Sequence, residues 1–178
     1  MINPLELTGK SILITGASAG IGRATAILLS QLGGKCILVA RRAEELTKTA
    51  ASLVNDADVY PFDLEQVEGI PLLIKKIVEN HGPLGGFVHS AGISTTVALR
   101  ALQLSMIEKS MRVNFYAFLE IARQLSKPGR LQEWLSMVGI SSVASLQGNS
   151  GRTLYCASKA ALDSAIRCLA KELAPKKI

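Results

Sequence analysis

Five short apolar runs alternate along this chain with five stretches of helical periodicity, and that order leaves few folds open. The runs cover residues 11–15, 36–40, 58–62, 85–90 and 134–140. The helical patterns cover 21–32, 43–54, 63–80, 105–126 and 153–173. Most of the runs are apolar nearly throughout, as in strands covered on both faces. Gly33-Gly34, Pro128-Gly129 and Pro175 stop three of the helices. Pro61 suits an edge strand. Asp63 with Gln66, and Ser105 with Glu108, have capping-box spacing and are expected to open the third and fourth helices. Strand–helix alternation of this kind is an α/β pattern: a doubly wound parallel sheet with helices on both faces. There is no internal repeat, linker or low-complexity tract, so the 178 residues are expected to form one domain.

The turn after the first run reads Thr15-Gly16-Ala17-Ser18-Ala19-Gly20-Ile21-Gly22. In a strand–turn–helix unit, glycine lets the backbone bend sharply and lets a pyrophosphate approach. The helix N-terminus supplies free N–H groups. The spacing G-x-x-x-G-x-G differs from the common dinucleotide fingerprint G-x-G-x-x-G. A tight turn without a ligand is the plainer reading. Its place between a buried strand and a helix favours a cofactor held by Gly16, Ser18, Ala19, Gly20, Ile21 and Gly22.

A dinucleotide site usually has an acidic residue at the tip of the second strand, for the ribose 2′-hydroxyl. Here that strand ends in Ala40-Arg41-Arg42. Guanidinium groups suit a 2′-phosphate, so NADP(H) is expected over NAD(H). The alternative is that both arginines simply start a solvated helix.

Tyr155 and Lys159 are four residues apart and share one face if the segment is helical. An ammonium beside a phenol favours the phenolate and suits it to acid–base work. Ser142, thirteen positions upstream of Tyr155, offers a hydroxyl to hold a substrate oxygen.

Other functions find little support. Net charge is +6, but the basic residues are scattered and aromatics make up only 4%. A nucleic-acid surface needs a basic stripe with interleaved aromatics. No apolar stretch has membrane-spanning length, and residues 1–7 carry no signal-peptide core, so a cytoplasmic protein is expected. Cys36, Cys156 and Cys168 form no CxxC pair. His81 and His89 lack metal-ligand spacing and are read as structural or exposed; no metal site is expected.

Together these features resemble the short-chain dehydrogenase/reductase family over the whole chain. The resemblance rests on the 15–22 turn, Asp63-Leu64, Ser90-Ala91-Gly92, Asn114, Ser142 and Tyr155-x-x-x-Lys159. It implies a Rossmann-type sheet in the order 3-2-1-4-5 and reduction of a small-molecule carbonyl, or the reverse. Tyr155 would be the general acid. Lys159 would tune it and bind the nicotinamide ribose, and Ser142 would hold the carbonyl oxygen. Asn114 would position a water in a proton relay. Asp63 and Leu64 would contact the adenine, and Ala91 and Gly92 its ribose. A homodimer through helices 105–126 and 153–173 is implied as well.

The sequence departs from the family pattern twice. Ser90 stands where the family has asparagine. The family's sixth and seventh strands, and the substrate segment between them, have no counterpart before Ile178. The domain is therefore expected to be incomplete at its C-terminus, with the fifth strand as an apolar edge. The alternative to an active reductase is a truncated nucleotide-binding domain that holds the cofactor without turnover.

Overall fold

The structure, a computed structural model, describes residues 5–178. Residues 1–4, the first part of the 1–7 stretch without a signal-peptide core, lie outside it. In chain order the elements are β1 (Ser11–Thr15), α1 (Gly20–Gln31), β2 (Lys35–Ala40), α2 (Ala43–Ala51), β3 (Asp58–Pro61), α3 (Ile70–His81) and β4 (Leu84–His89). Then come α4 (Leu104–Met111), α5 (Ala117–Leu125), β5 (Leu131–Gly139), the single turn α6 (Ala144–Gln147) and α7 (Thr153–Leu173). The five strands form one parallel sheet in the order β3-β2-β1-β4-β5. Pro61 lies on the edge strand β3, where its missing N–H breaks no inner ladder.

Alternate side chains of each strand feed opposite layers. Ile12, Ile14, Leu38 and Ala40 pack with Ala26 of α1 and Leu46 of α2. On the other face, Leu13, Ile37, Val39 and Phe87 pack with Ile74 of α3, Phe118 of α5 and Leu162 of α7. β5 is the second edge. Trp134 (42% exposed) and Val138 (45% exposed) lie open on it, and Leu135 donates its N–H to the Lys177 carbonyl at 3.0 Å. An apolar cavity of about 380 Å³ beside β5 is lined by Phe118, Trp134, Met137 and Ile178, among others.

Both expected capping boxes fail. Asp63 accepts the Glu65 N–H, and Gln66 N–H reaches the Asp63 carbonyl. These bonds make a turn, and α3 starts only at Ile70, one residue before Pro71. α4 has Gln103 at its N-cap and no side-chain cap. The expected long helix 105–126 is present as α4 and α5 joined by a π-helical turn, Arg112–Tyr116.

Candidate active site

β1, β2 and β4 all end at the same sheet edge, so the loops that follow them converge there. Gly16 takes φ +69° and receives a clamp from Val39, whose carbonyl accepts the Gly16 N–H at 2.9 Å. A Cβ on Gly16 would lie 2.6 Å from the Ala91 backbone nitrogen, and one on Gly22 would lie 2.4 Å from the Gly16 carbonyl oxygen. Those two glycines let β1, α1 and the loop after β4 close on one another. Gly20 is different: its φ is +54° and no atom lies within 4 Å of its missing Cβ. It faces open space at the start of α1, where the first N–H groups have no partner within the helix.

These groups line one continuous cleft of about 460 Å³. Gly16, Ser18, Ala19, Gly20 and Ile21 form one wall; Gly22 stands behind them as the packing glycine. Arg41, Arg42, Asp63 and Leu64 form a second region, and Ala91 and Gly92 the floor. Arg42 donates to the Ser18 hydroxyl at 3.3 Å, and Arg41 stands 3.9 Å from Asp63. Two cations and a set of free helix N–H groups fit a polyanionic dinucleotide. The open cradle at Gly20 gives such a molecule room.

Tyr155 and Lys159 line the far end of the cleft. Lys159 is 4% exposed and donates to the Ile140 carbonyl at 2.7 Å. Its ammonium lies 6.0 Å from the centre of the Tyr155 ring. Burial pushes the lysine below its ordinary pKa, with Asp163 opposing. Asn114 sits in the π-helical turn with all its amide groups engaged. Its Oδ1 accepts the Ile93 N–H at 2.7 Å. Its Nδ2 donates to the Ile93 carbonyl and to the Ser158 hydroxyl, each at 2.9 Å. Ser158 in turn donates to the Tyr155 carbonyl at 2.9 Å. The Asn114 clamp therefore joins the loop after β4 to the turn of α7 that carries Tyr155. A Cβ on Gly92 would lie 3.4 Å from Asn114 Oδ1 and 3.5 Å from Lys159 Nζ, so all three converge.

Ser142 is not among the residues lining the cleft; its neighbour Ser141 is. The Ser142 hydroxyl accepts the Ala144 N–H at 3.2 Å, while the buried Ser141 hydroxyl has no partner. His89 is wholly buried between Phe87 and Phe118, with Nδ1 2.9 Å from the Thr15 hydroxyl. Burial pulls its pKa down to about 3, so it is neutral and structural. His81 is likewise buried at its side chain and paired with Tyr60. Sequence reasoning missed Ser158 and the Ile140 carbonyl, since neither belongs to a spacing pattern. Among the described residues no His, Cys, Asp and Glu cluster could hold a metal, and no helix is long and apolar enough to cross a membrane.

Known proteins resemble this chain over nearly its whole length. A family model described as short chain dehydrogenase matches residues 10–178. The chain is 31% identical to a 3-oxoacyl-[acyl-carrier-protein] reductase of Thermotoga maritima, covering 98% of this chain and 72% of that one. It is 33% identical to an L-xylulose reductase of Caenorhabditis elegans, covering 97% and 69%. Among solved structures, the Pseudomonas aeruginosa RhlG/NADP active-site complex matches with a TM-score of 0.90 and 32% identity, over 100% of this chain and 72% of that one. A metagenomic short-chain oxidoreductase in complex with NADP matches with a TM-score of 0.88 and 26% identity, over 96% and 79%.

Proposed function

The chain belongs to the short-chain dehydrogenase family of NAD(P)-dependent oxidoreductases, and from that premise we propose that it reduces a carbonyl to an alcohol, or the reverse, with NADPH preferred over NADH. One observation carries this reading: a single cleft joins the glycine turn and the two arginines at one end to Tyr155 and Lys159 at the other. Arg41 and Arg42, unaccompanied by a carboxylate at the tip of β2, support the 2′-phosphate. RhlG and the metagenomic oxidoreductase, both solved with NADP, support it from outside.

When bound, the nicotinamide would supply the hydride. Tyr155 donates its phenolic proton to the carbonyl oxygen as negative charge builds there. Lys159, fixed by the Ile140 carbonyl, keeps a positive charge close to that phenol. Ser142 is the proposed second donor to the oxygen. Its hydroxyl accepts from Ala144 and makes no donated bond, which leaves its proton for a substrate. Asn114 Oδ1 and Lys159 Nζ both lie close to Gly92. With both Nδ2 hydrogens donated, the second lone pair of Oδ1 is the group that supports a water-mediated relay to Lys159. The exposed Leu104 and Leu119 support a homodimer through the α4–α5 helix, and the three free cysteines suit a reducing, cytoplasmic setting.

The test is NADPH oxidation over a panel of ketones, comparing wild type with Tyr155→Phe. Turnover lost in the variant supports the assignment; equal rates remove Tyr155 as the acid. A second reading is favoured by the open edge of β5 and by Ser142 lying off the cleft. In it the domain holds the cofactor without turnover. Calorimetric NADP⁺ binding without hydride transfer to any carbonyl would select it.

A further inference from the structure

The lining of the Tyr155 end of the cleft, residues 90–94 with Ile140, Ser141 and Lys159, contains no Asp or Glu. The charged side chains at this end are Lys159 and, beside Tyr155, Arg152. Lys159 is occupied at the Ile140 carbonyl. Arg152 is not balanced by any carboxylate, and its surroundings are unusual for a surface cation.

Arg152 stands three residues before Tyr155, at the N-cap of α7. Its guanidinium carbon lies 4.8 Å from the centre of the Tyr155 ring. It donates to the hydroxyl of Ser94 at 2.7 Å, and Ser94 lines the cleft together with Tyr155. The Nε atom is buried and has no hydrogen-bond partner. The backbone beside it is also fixed: the Gly151 carbonyl accepts the Val97 N–H at 2.8 Å, and a Cβ on Gly151 would lie 3.1 Å from Thr96. The arginine is thus held between the phenol and the loop after β4, with a buried donor unused.

A guanidinium that no carboxylate neutralises recognises an acceptor oxygen, and an anionic one most strongly. Arg152 is half-buried and is not itself a lining residue, but it touches the border of the cleft through Ser94 and Tyr155, which are. Resting on the reductase reading, we propose that Arg152 is a specificity-determining residue, and that the carbonyl compound reduced here carries an anionic group, a carboxylate or a phosphate, a few bonds from its reacting carbon. The position of Arg152 over the Tyr155 ring keeps that group close to the carbonyl, which selects short substrates. Ser94 fixes the guanidinium plane and leaves the other donors to the ligand.

The experiment compares matched pairs: 3-oxobutanoate against its methyl ester, and dihydroxyacetone phosphate against dihydroxyacetone. Wild type is expected to favour one charged member by on the order of 10²-fold in kcat/KM; which pair responds tells carboxylate from phosphate. Arg152→Gln collapses that ratio mainly through KM, and Arg152→Lys restores part of it. Equal ratios in wild type and Arg152→Gln, or a wild-type preference for the neutral compounds, overturn the proposal. Calorimetry with 3-oxobutanoate and dihydroxyacetone phosphate, in the presence of NADP⁺, separates this idea from the reductase reading. Anion binding weakened at least about 10-fold by Arg152→Gln, without NADPH oxidation, keeps the anion site and sinks the reductase. Turnover without anion preference does the opposite. Neither binding nor turnover overturns both.

Discussion

The Lys159 ammonium is bonded to the Ile140 carbonyl at 2.7 Å and stands 6.0 Å from the centre of the Tyr155 ring. The ammonium therefore stands beside the Tyr155 ring from a fixed anchor at the end of β5, with no direct hydrogen bond between the two side chains. The burial that fixes it also makes it easier to deprotonate than an ordinary lysine.

Under the proposed mechanism, that arrangement is expected to set the alkaline side of the rate profile. Activity should fall as pH rises through a lysine pKa lower than the usual value of about 10.4, because a neutral Lys159 no longer places a positive charge beside the reacting end of the cleft. Lys159→Met should lower kcat/KM by on the order of 10²-fold or more. A pH profile that stays flat past the ordinary lysine range would remove this role.

Cofactor preference should follow the arginines. Arg41→Ala combined with Arg42→Ala is expected to weaken NADPH binding by about 2 kcal/mol, a factor of about 30. NADH binding should hardly change. Titrations of both dinucleotides check this, and equal losses would reassign the arginines to general charge.

Two glycines separate folding from binding. Gly16→Ala forces a Cβ to 2.6 Å from the Ala91 nitrogen at φ +69°, which should cost about 3 kcal/mol or more. Gly20→Ala meets no neighbour and should cost only about 1–2 kcal/mol of backbone strain, yet it fills the cradle and should weaken dinucleotide binding. Urea melts and binding titrations on both variants are the measurement. Similar stabilities for the two would contradict the packing described.

His89 makes stability depend on pH in one direction. Its folded pKa of about 3 lies below the ordinary value of 6.5, so the unfolded chain takes up the proton first. The stabilisation is complete above about pH 6.5 and is lost as pH falls towards 3, by about 1.4 kcal/mol per pH unit. His81 is lowered in the same direction by burial, so wild type should be compared with His89→Asn. The gap in unfolding free energy between them should shrink from pH 6 to pH 4; parallel curves would show that His89 does not titrate this way.

The sheet was legible because each apolar run is short, unbroken and flanked by helical periodicity, and Pro61 marked its own edge. The cleft was legible because glycine spacing, paired arginines and Tyr155–Lys159 are local patterns. What escaped depends on partners far apart in sequence. The two capping boxes had the right letters, but Asp63 spends its oxygens on a turn and Pro71 helps place the start of α3 after it. The Ile140 carbonyl holds Lys159, and a backbone acceptor leaves no trace in residue type. Ser141 and Ser142 differ by one position, so spacing alone says nothing about which of them faces the cleft.

The π-helical turn at Arg112–Tyr116 acts as a phase shifter. It adds one residue to a helix whose downstream half locks Phe118 and Ile121 into the core. Delete one residue there and a regular helix results, but everything upstream rotates by about 100° around the axis. Ser110 would leave its buried place, and no residue of the regular helix would point as Asn114 does, into the gap between Ile93 and Ser158. An ideal helix could serve the core or the clamp. The surplus residue lets one rod keep two angular settings at once.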